Sequence, residues 1–320
     1  VNRRDFILVG AVAGAWPCLA RAEAKVPTVG LLWIEPQPYR KTLFDALREK
    51  GYVENRNIRF VDRTVREGYS HLRENARELV RAKVDLIVAY GGTATIEAAR
   101  ATKDIPIVMI SGLDPVALGL TPSLAHPGGN VTGIATTSRQ LGGKRIELLK
   151  ELLPKLSRVG LLVAPEASVA VDALRETQAE VRQLGLQARV AELRTPDDLE
   201  RVFADLSAAR VGAVVVGGSS MVRSQAERIV ALAAKHRLPA VYPTDAFTSA
   251  GGLMSYSADI HDQFRRLATY VDRVLKGEHA GDLPIEQPTK FELVLNMRTA
   301  KELGIKIPES MLFRADKVIE

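Results

Sequence analysis

The 320-residue sequence predicts an α/β protein of two similar Rossmann-like lobes with parallel sheets. Three observations predict it. Continuous apolar runs alternate with stretches whose apolar residues recur at helical spacing, the pattern of parallel strands covered on both faces. The plan of the first half returns in the second, about 125 residues later. In each half a glycine pair, Gly91-Gly92 and Gly217-Gly218, follows an apolar run and precedes a helix-like stretch.

From Pro27 the elements follow in turn. VPTVGLLW is a buried strand, and residues 38–50 form a helix that ends at Gly51. NIRFVDR is a strand, HLRENARELVRA an amphipathic helix, VDLIVAY a strand, TATIEAARA a helix and IPIVMI a strand. REKGYVENRN and KRIELLKELLPKLSR read as amphipathic helices that carry much of the surface charge. The second half gives strand RVGLLVAP, helix VAVDALRETQAEVRQLG, strand LQARVAEL and helix PDDLERVFADLS, which Asp197-Asp198 starts. Strand VGAVVVGG, helix QAERIVALAAKH and strand LPAVYP complete it. Short connections between parallel strands imply right-handed crossovers.

The chain is expected to pass between the lobes about three times, forming the hinge. VTGIATTS leaves the first lobe, Gly251 to Tyr256 returns to it, and LPIEQPTKFELVLN crosses last, with Pro288 enforcing an extended lead-in. The first lobe then comprises residues 27–135 plus about 256–284, and the second about 136–252 plus about 286–320. Ligands of open α/β sheets bind beyond the carboxyl ends of the strands. Two facing lobes therefore predict a cleft that closes by hinge motion.

Residues 1–22 read as a secretory signal peptide of twin-arginine type. Arg3-Arg4 precede an apolar run from Phe6 to Trp16, and Ala20-Arg21-Ala22 offers a cleavage site. The single cysteine, Cys18, falls in that segment, so the mature chain needs neither disulfide nor thiol chemistry. Hydrophobic residues at 46% and charged residues at 26% give a globular balance and exclude a disordered or fibrous chain. The net charge of +6 falls to about +4 without the leader and is scattered along helices. No basic stripe interleaves with aromatics, so no nucleic-acid partner is expected.

The strand ends supply the candidate site residues. Thr93, after Gly91-Gly92, is placed to cap a helix and to leave amides open to an anion; Ser219 is its counterpart after Gly217-Gly218. Trp33 and Tyr39 flank the loop after the first strand and offer faces for a ring, or fill the core. Asp114 and Asp245 follow equivalent strands; each can accept from a ligand or cap its own turn. Tyr256 follows the second crossing and can present its ring and hydroxyl to the cleft. Neither G-x-G-x-x-G spacing nor a phosphate-binding lysine loop is present. His71, His126, His236, His261 and His279 show no paired metal spacing, and no G-x-S-x-G elbow appears. No nucleophile with a matched base can be nominated, so the chain is read as a non-enzyme with no cofactor and no metal.

Several blocks together resemble a known family: DLIVAYGGTATIEAARAT, IPIVMISGLDPVALGLTPSLAHPGGNVTG, LPAVYPTDAFTSAGGLMSYSAD and LPIEQPTKFELVLNMRTAKELGIKIP. With the leader and the VGLLW strand, they are similar to the extracytoplasmic substrate-binding proteins of ABC importers. The resemblance covers essentially the whole mature chain and implies the type I periplasmic-binding fold. The branch includes aromatic amino-acid binders, in which the first-strand loop, a hydroxyl-bearing helix start and a loop aspartate line the cleft. Carried over, it implies Trp33 to Gln37, Thr93 and Asp114, with Ser219, Asp245 and Tyr256 as second-lobe counterparts. This chain departs from the branch in having Gly92-Thr93-Ala94 where Gly-Thr-Pro is common.

The expected function is capture of a small organic solute, an amino acid (aromatic ones included) or an organic acid, in the periplasm. The expected partner is the membrane permease of an ABC transporter, served by a monomer. A periplasmic sensor feeding a membrane receptor would share the fold, leader and cleft; an adjacent permease gene separates the two. An enzyme on the same frame would need a reactive pair across the cleft. A transcription regulator of this fold would need DNA-binding helices and no leader.

Overall fold

A computed structural model describes residues 25–34, 39–65, 71–136, 138–164 and 168–320. The expected leader, Cys18 and Gln37 lie outside the described residues. The first lobe runs β1 (Thr28–Ile34), α1 (Arg40–Glu49), β2 (Arg59–Val65), α2 (Leu72–Arg81), β3 (Leu86–Tyr90), α3 (Gly92–Ala101), β4 (Ile107–Ser111) and β5 (Val131–Ala135). Its sheet has the order β2-β1-β3-β4-β5 and is parallel throughout. β3 and β4 are buried at every position, as their unbroken apolar runs require when helices cover both faces. α2 buries Leu72, Ala76 and Leu79, one stripe at helical spacing.

REKGYVENRN differs from expectation. α1 stops at Glu49, and the chain turns through Gly51 and Asn55, both at positive φ. Asn57 holds this turn, donating to the Gly51 carbonyl and accepting from the Val53 amide. Glycine at positive φ and side-chain amide bonds to the backbone outweigh helical periodicity there.

The second lobe continues with α4 (Ser138–Leu152), β6 (Arg158–Val163), α5 (Ser168–Gln183), β7 (Gln187–Glu192), α6 (Leu199–Ala208) and β8 (Ala213–Val216). A 3-10 turn at Pro196–Asp198 leads into α6 through a capping box between Thr195 and Asp198. Then come α7 (Ser220–Ser224), α8 (Ala226–Lys235), β9 (Ala240–Tyr242), α9 (Asp245–Ser249) and β10 (Met254–Ala258). α10 (Ile260–Leu275) precedes β11 (Phe291–Asn296), α11 (Met297–Leu303), α12 (Glu309–Arg314) and β12 (Lys317–Ile319). The sheet order is β12-β11-β10-β9-β8-β6-β7, parallel except at the β10–β11 pair.

α10 belongs to the other core. Its Phe264, Leu267 and Val271 are buried with Val29, Leu31 and Leu43 of the first lobe. The chain therefore passes between the lobes after β5, after β10 and before β11. The second and third passages are tied to each other, the Asp259 amide donating to the Lys290 carbonyl at 3.0 Å. The third is also tied to β5, since Glu286 bridges Ile134. Gly133 makes that edge possible: its φ is +128°, and a Cβ there would collide with the Met109 backbone of β4.

Candidate functional site

The carboxyl ends of β3 and β4 face those of β6, β8, β9 and β10 across two adjoining cavities. The larger, of about 160 Å³, is walled by Gly92 and Leu113 of the first lobe and by Leu161, Val163, Val216 and Ser219 of the second. The smaller, of about 100 Å³, is bounded by Tyr90 and Gln263 on one side and by Thr244, Asp245 and Glu292 on the other. Gly91, Gly112, Arg145, Gly218 and Arg223 line both, so these residues mark the junction.

Glycine shapes the first-lobe wall. Gly91, at φ +99°, is the N-cap of α3, and a side chain on Gly92 would meet Leu113. This corrects the expectation for Thr93, which is not the cap. The glycine pair turns the backbone into the helix early, so Thr93 falls within its first turn, and no side chain caps α3. The Thr95 hydroxyl donates to the Gly91 carbonyl instead.

The other expected residues divide. Trp33 is 1% exposed in the first-lobe core, and its indole N–H donates to Asp62 at 3.4 Å. Asp114 caps its own turn, its Oδ1 accepting from the amides of Val116 at 2.9 Å and Ala117 at 3.3 Å. Tyr256 stacks on Phe291 with ring centroids 6.0 Å apart, packed against the second-lobe core. Thr93, Trp33, Asp114 and Tyr256 line neither cavity. Ser219 lines the larger one, and its Oγ also caps α7 by accepting from the Val222 amide at 3.1 Å. Asp245 lines the smaller one and accepts from the Tyr39 hydroxyl at 3.0 Å. Burial, and then Asp245, push the Tyr39 hydroxyl well above its ordinary pKa.

Sequence reasoning missed Arg145. It lies on α4, is 6% exposed, and faces both cavities. Its Nε donates to the Tyr256 carbonyl at 2.8 Å, and a terminal nitrogen lies 3.5 Å from the Pro243 carbonyl. Among the described residues it makes no ion pair, and burial pushes its pKa down to about 10. The available signal was positional: Arg145 stands on the stripe Leu141, Leu148, Leu149 and Leu152, where a core residue is expected. Arg223 was missed too; its guanidinium stands over the Tyr90 ring of the other lobe at 5.6 Å. Glu292, on β11, has its carboxyl pushed above the usual range by burial, then by Asp259 and Asp245. The Thr244 hydroxyl is buried without a hydrogen-bond partner among the described residues.

The arrangement presents cations at the junction, carboxylates and an unsatisfied hydroxyl in one cavity, and an apolar wall in the other. It suits a small ligand that carries both charges and an apolar part. Among the described residues no group of three or more His, Cys, Asp or Glu side chains is placed to hold a metal.

The profile of the family described as ABC transporter substrate binding protein matches residues 37–319. A tyrosine-binding protein of Clostridioides difficile is 27% identical over 275 residues, 83% of this chain and 76% of that one. A Streptococcus pneumonia ABC domain solved in complex with L-Trp superposes with a TM-score of 0.84 at 26% identity, covering 92% of this chain and 99% of the other. A conserved domain protein from Vibrio cholerae superposes at 0.86 with 27% identity, over 92% and 100% of the two chains. The fold is the type I periplasmic-binding fold.

Proposed function

The chain belongs to the ABC transporter substrate binding protein family, and from that premise we propose that it captures an amino acid between its lobes and delivers it to the permease of an ABC importer. The observation that carries this reading is the pair of adjoining cavities at the strand ends, with Arg145 and Arg223 at their junction and Asp245 and Glu292 beside them. Opposite charges set that close match a zwitterion, and Leu113, Leu161, Val163 and Val216 match an apolar or aromatic side chain. The tyrosine and tryptophan named for the two relatives support the same class.

In this reading the lobes close around the ligand, and binding shifts an open–closed equilibrium without covalent chemistry. The protein works as a monomer in the periplasm, reached through the twin-arginine leader of residues 1–22. A thermal-shift screen of the mature protein against amino acids, aromatic acids, dicarboxylates and sugars tests it, because a ligand of the folded state raises the apparent Tm. Shifts from amino acids are expected; shifts confined to sugars overturn the reading.

A further inference from the structure

We propose that Arg145 is the carboxylate anchor of this site and ties a bound carboxylate to the hinge strand β10. The inference rests on the amino-acid reading and deepens it. A guanidinium that is 6% exposed, with two backbone carbonyls as its partners, keeps its positive charge uncompensated. Such a group is costly to bury unless an anion joins it. Arg145 lines both cavities, so that anion has room to approach. A planar fork of donors matches a carboxylate in two-point geometry.

Position then orients the ligand. Arg145 is at the junction, Asp245 and Glu292 line only the smaller cavity, and Leu113, Leu161, Val163 and Val216 line only the larger. An α-amino acid with its carboxylate on Arg145 directs its ammonium to the carboxylates and its side chain to the apolar wall. The same arginine donates to the Tyr256 carbonyl on β10, which leads into the second passage between the lobes. The carboxylate thus engages a residue already bonded to the hinge.

Calorimetry of the wild-type protein with L-tryptophan, L-tryptophanamide and tryptamine tests the anchor, alongside Arg145→Met and Arg145→Lys. Truncating one partner of a buried charge pair predicts at least about a 30-fold loss for the amide, for tryptamine and for Arg145→Met. Arg145→Lys keeps the charge but loses the fork and falls between. Wild-type binding that is equal for tryptamine, or retained within about twofold in Arg145→Met, overturns the anchor alone. Failure of the wild type to bind any amino acid overturns the functional reading, and the anchor with it.

Discussion

The Tyr39 hydroxyl donates a hydrogen bond to Asp245 Oδ1 at 3.0 Å, joining the loop before α1 in the first lobe to the start of α9 in the second. The Tyr39 ring is seated by Phe264, stacked at 6.1 Å, and by an edge contact with His261 at 5.3 Å. This contact holds the lobes together at the rim of the smaller cavity. Tyr39→Phe keeps the ring packing and removes the bond. A hydrogen bond to a charged group is worth about 1.5 kcal/mol or more, so ligand affinity in calorimetry should fall roughly tenfold. The Tm of the ligand-free protein should change little; a large Tm loss with unchanged affinity contradicts the latch.

Glu292 sets a pH dependence. Its folded-state pKa lies above the ordinary value of 4.5 because burial and neighbouring carboxylates disfavour the charge. Its contribution to stability is present below the unfolded pKa and is lost as pH rises through the folded one. Glu292→Gln, neutral at every pH, should have a higher ligand-free Tm than the wild type at pH 7. The difference should shrink toward about pH 4, where both are neutral. Thermal unfolding at the two pH values checks this, and a Glu292→Gln Tm below wild type at pH 7 contradicts it.

Gly92 shapes the wall of the larger cavity. A methyl group there runs into the Leu113 side chain on the cavity wall. Gly92→Ala should push Leu113 into the larger cavity and weaken binding of a large side chain by roughly tenfold, an overpacking cost of about 1–3 kcal/mol. The double variant Gly92→Ala/Leu113→Ala should recover part of the loss. Equal affinities in all three proteins would falsify the assignment of this wall.

Gly133 is structural. Its φ of +128° and the proximity of the Met109 backbone leave no place for a Cβ. Gly133→Ala should destabilise the fold by about 3 kcal/mol, read in urea unfolding. A loss under about 0.5 kcal/mol, the range of neutral surface changes, contradicts the account.

The fold was legible because buried parallel strands leave continuous apolar runs and because the strand–glycine–helix unit occurs twice, starting at β3 and at β8. The site was only partly legible. Asp245 and Ser219 line the cavities at strand-end positions that the repeat predicts. Thr93 is not the helix cap because Gly91 starts α3, and Asp114 takes the turn-capping role of its two expected ones, with one carboxylate oxygen accepting from two backbone amides. Trp33 points into the core, a choice of strand face that an unbroken apolar run does not encode. Arg145 hid in a helix whose Lys144, Glu147, Lys150 and Glu151 are half-buried or exposed, and its burial depends on the packing of α4 against β10.

The most direct test of the central claim is a crystal structure of the protein grown with the amino acid that raises its Tm most. The account predicts ligand density at the junction of the two cavities, with a carboxylate within hydrogen-bond distance of Arg145 and the side chain against Leu113 and Val163. Density at any other place, or a ligand between the lobes whose carboxylate points away from Arg145, would contradict it.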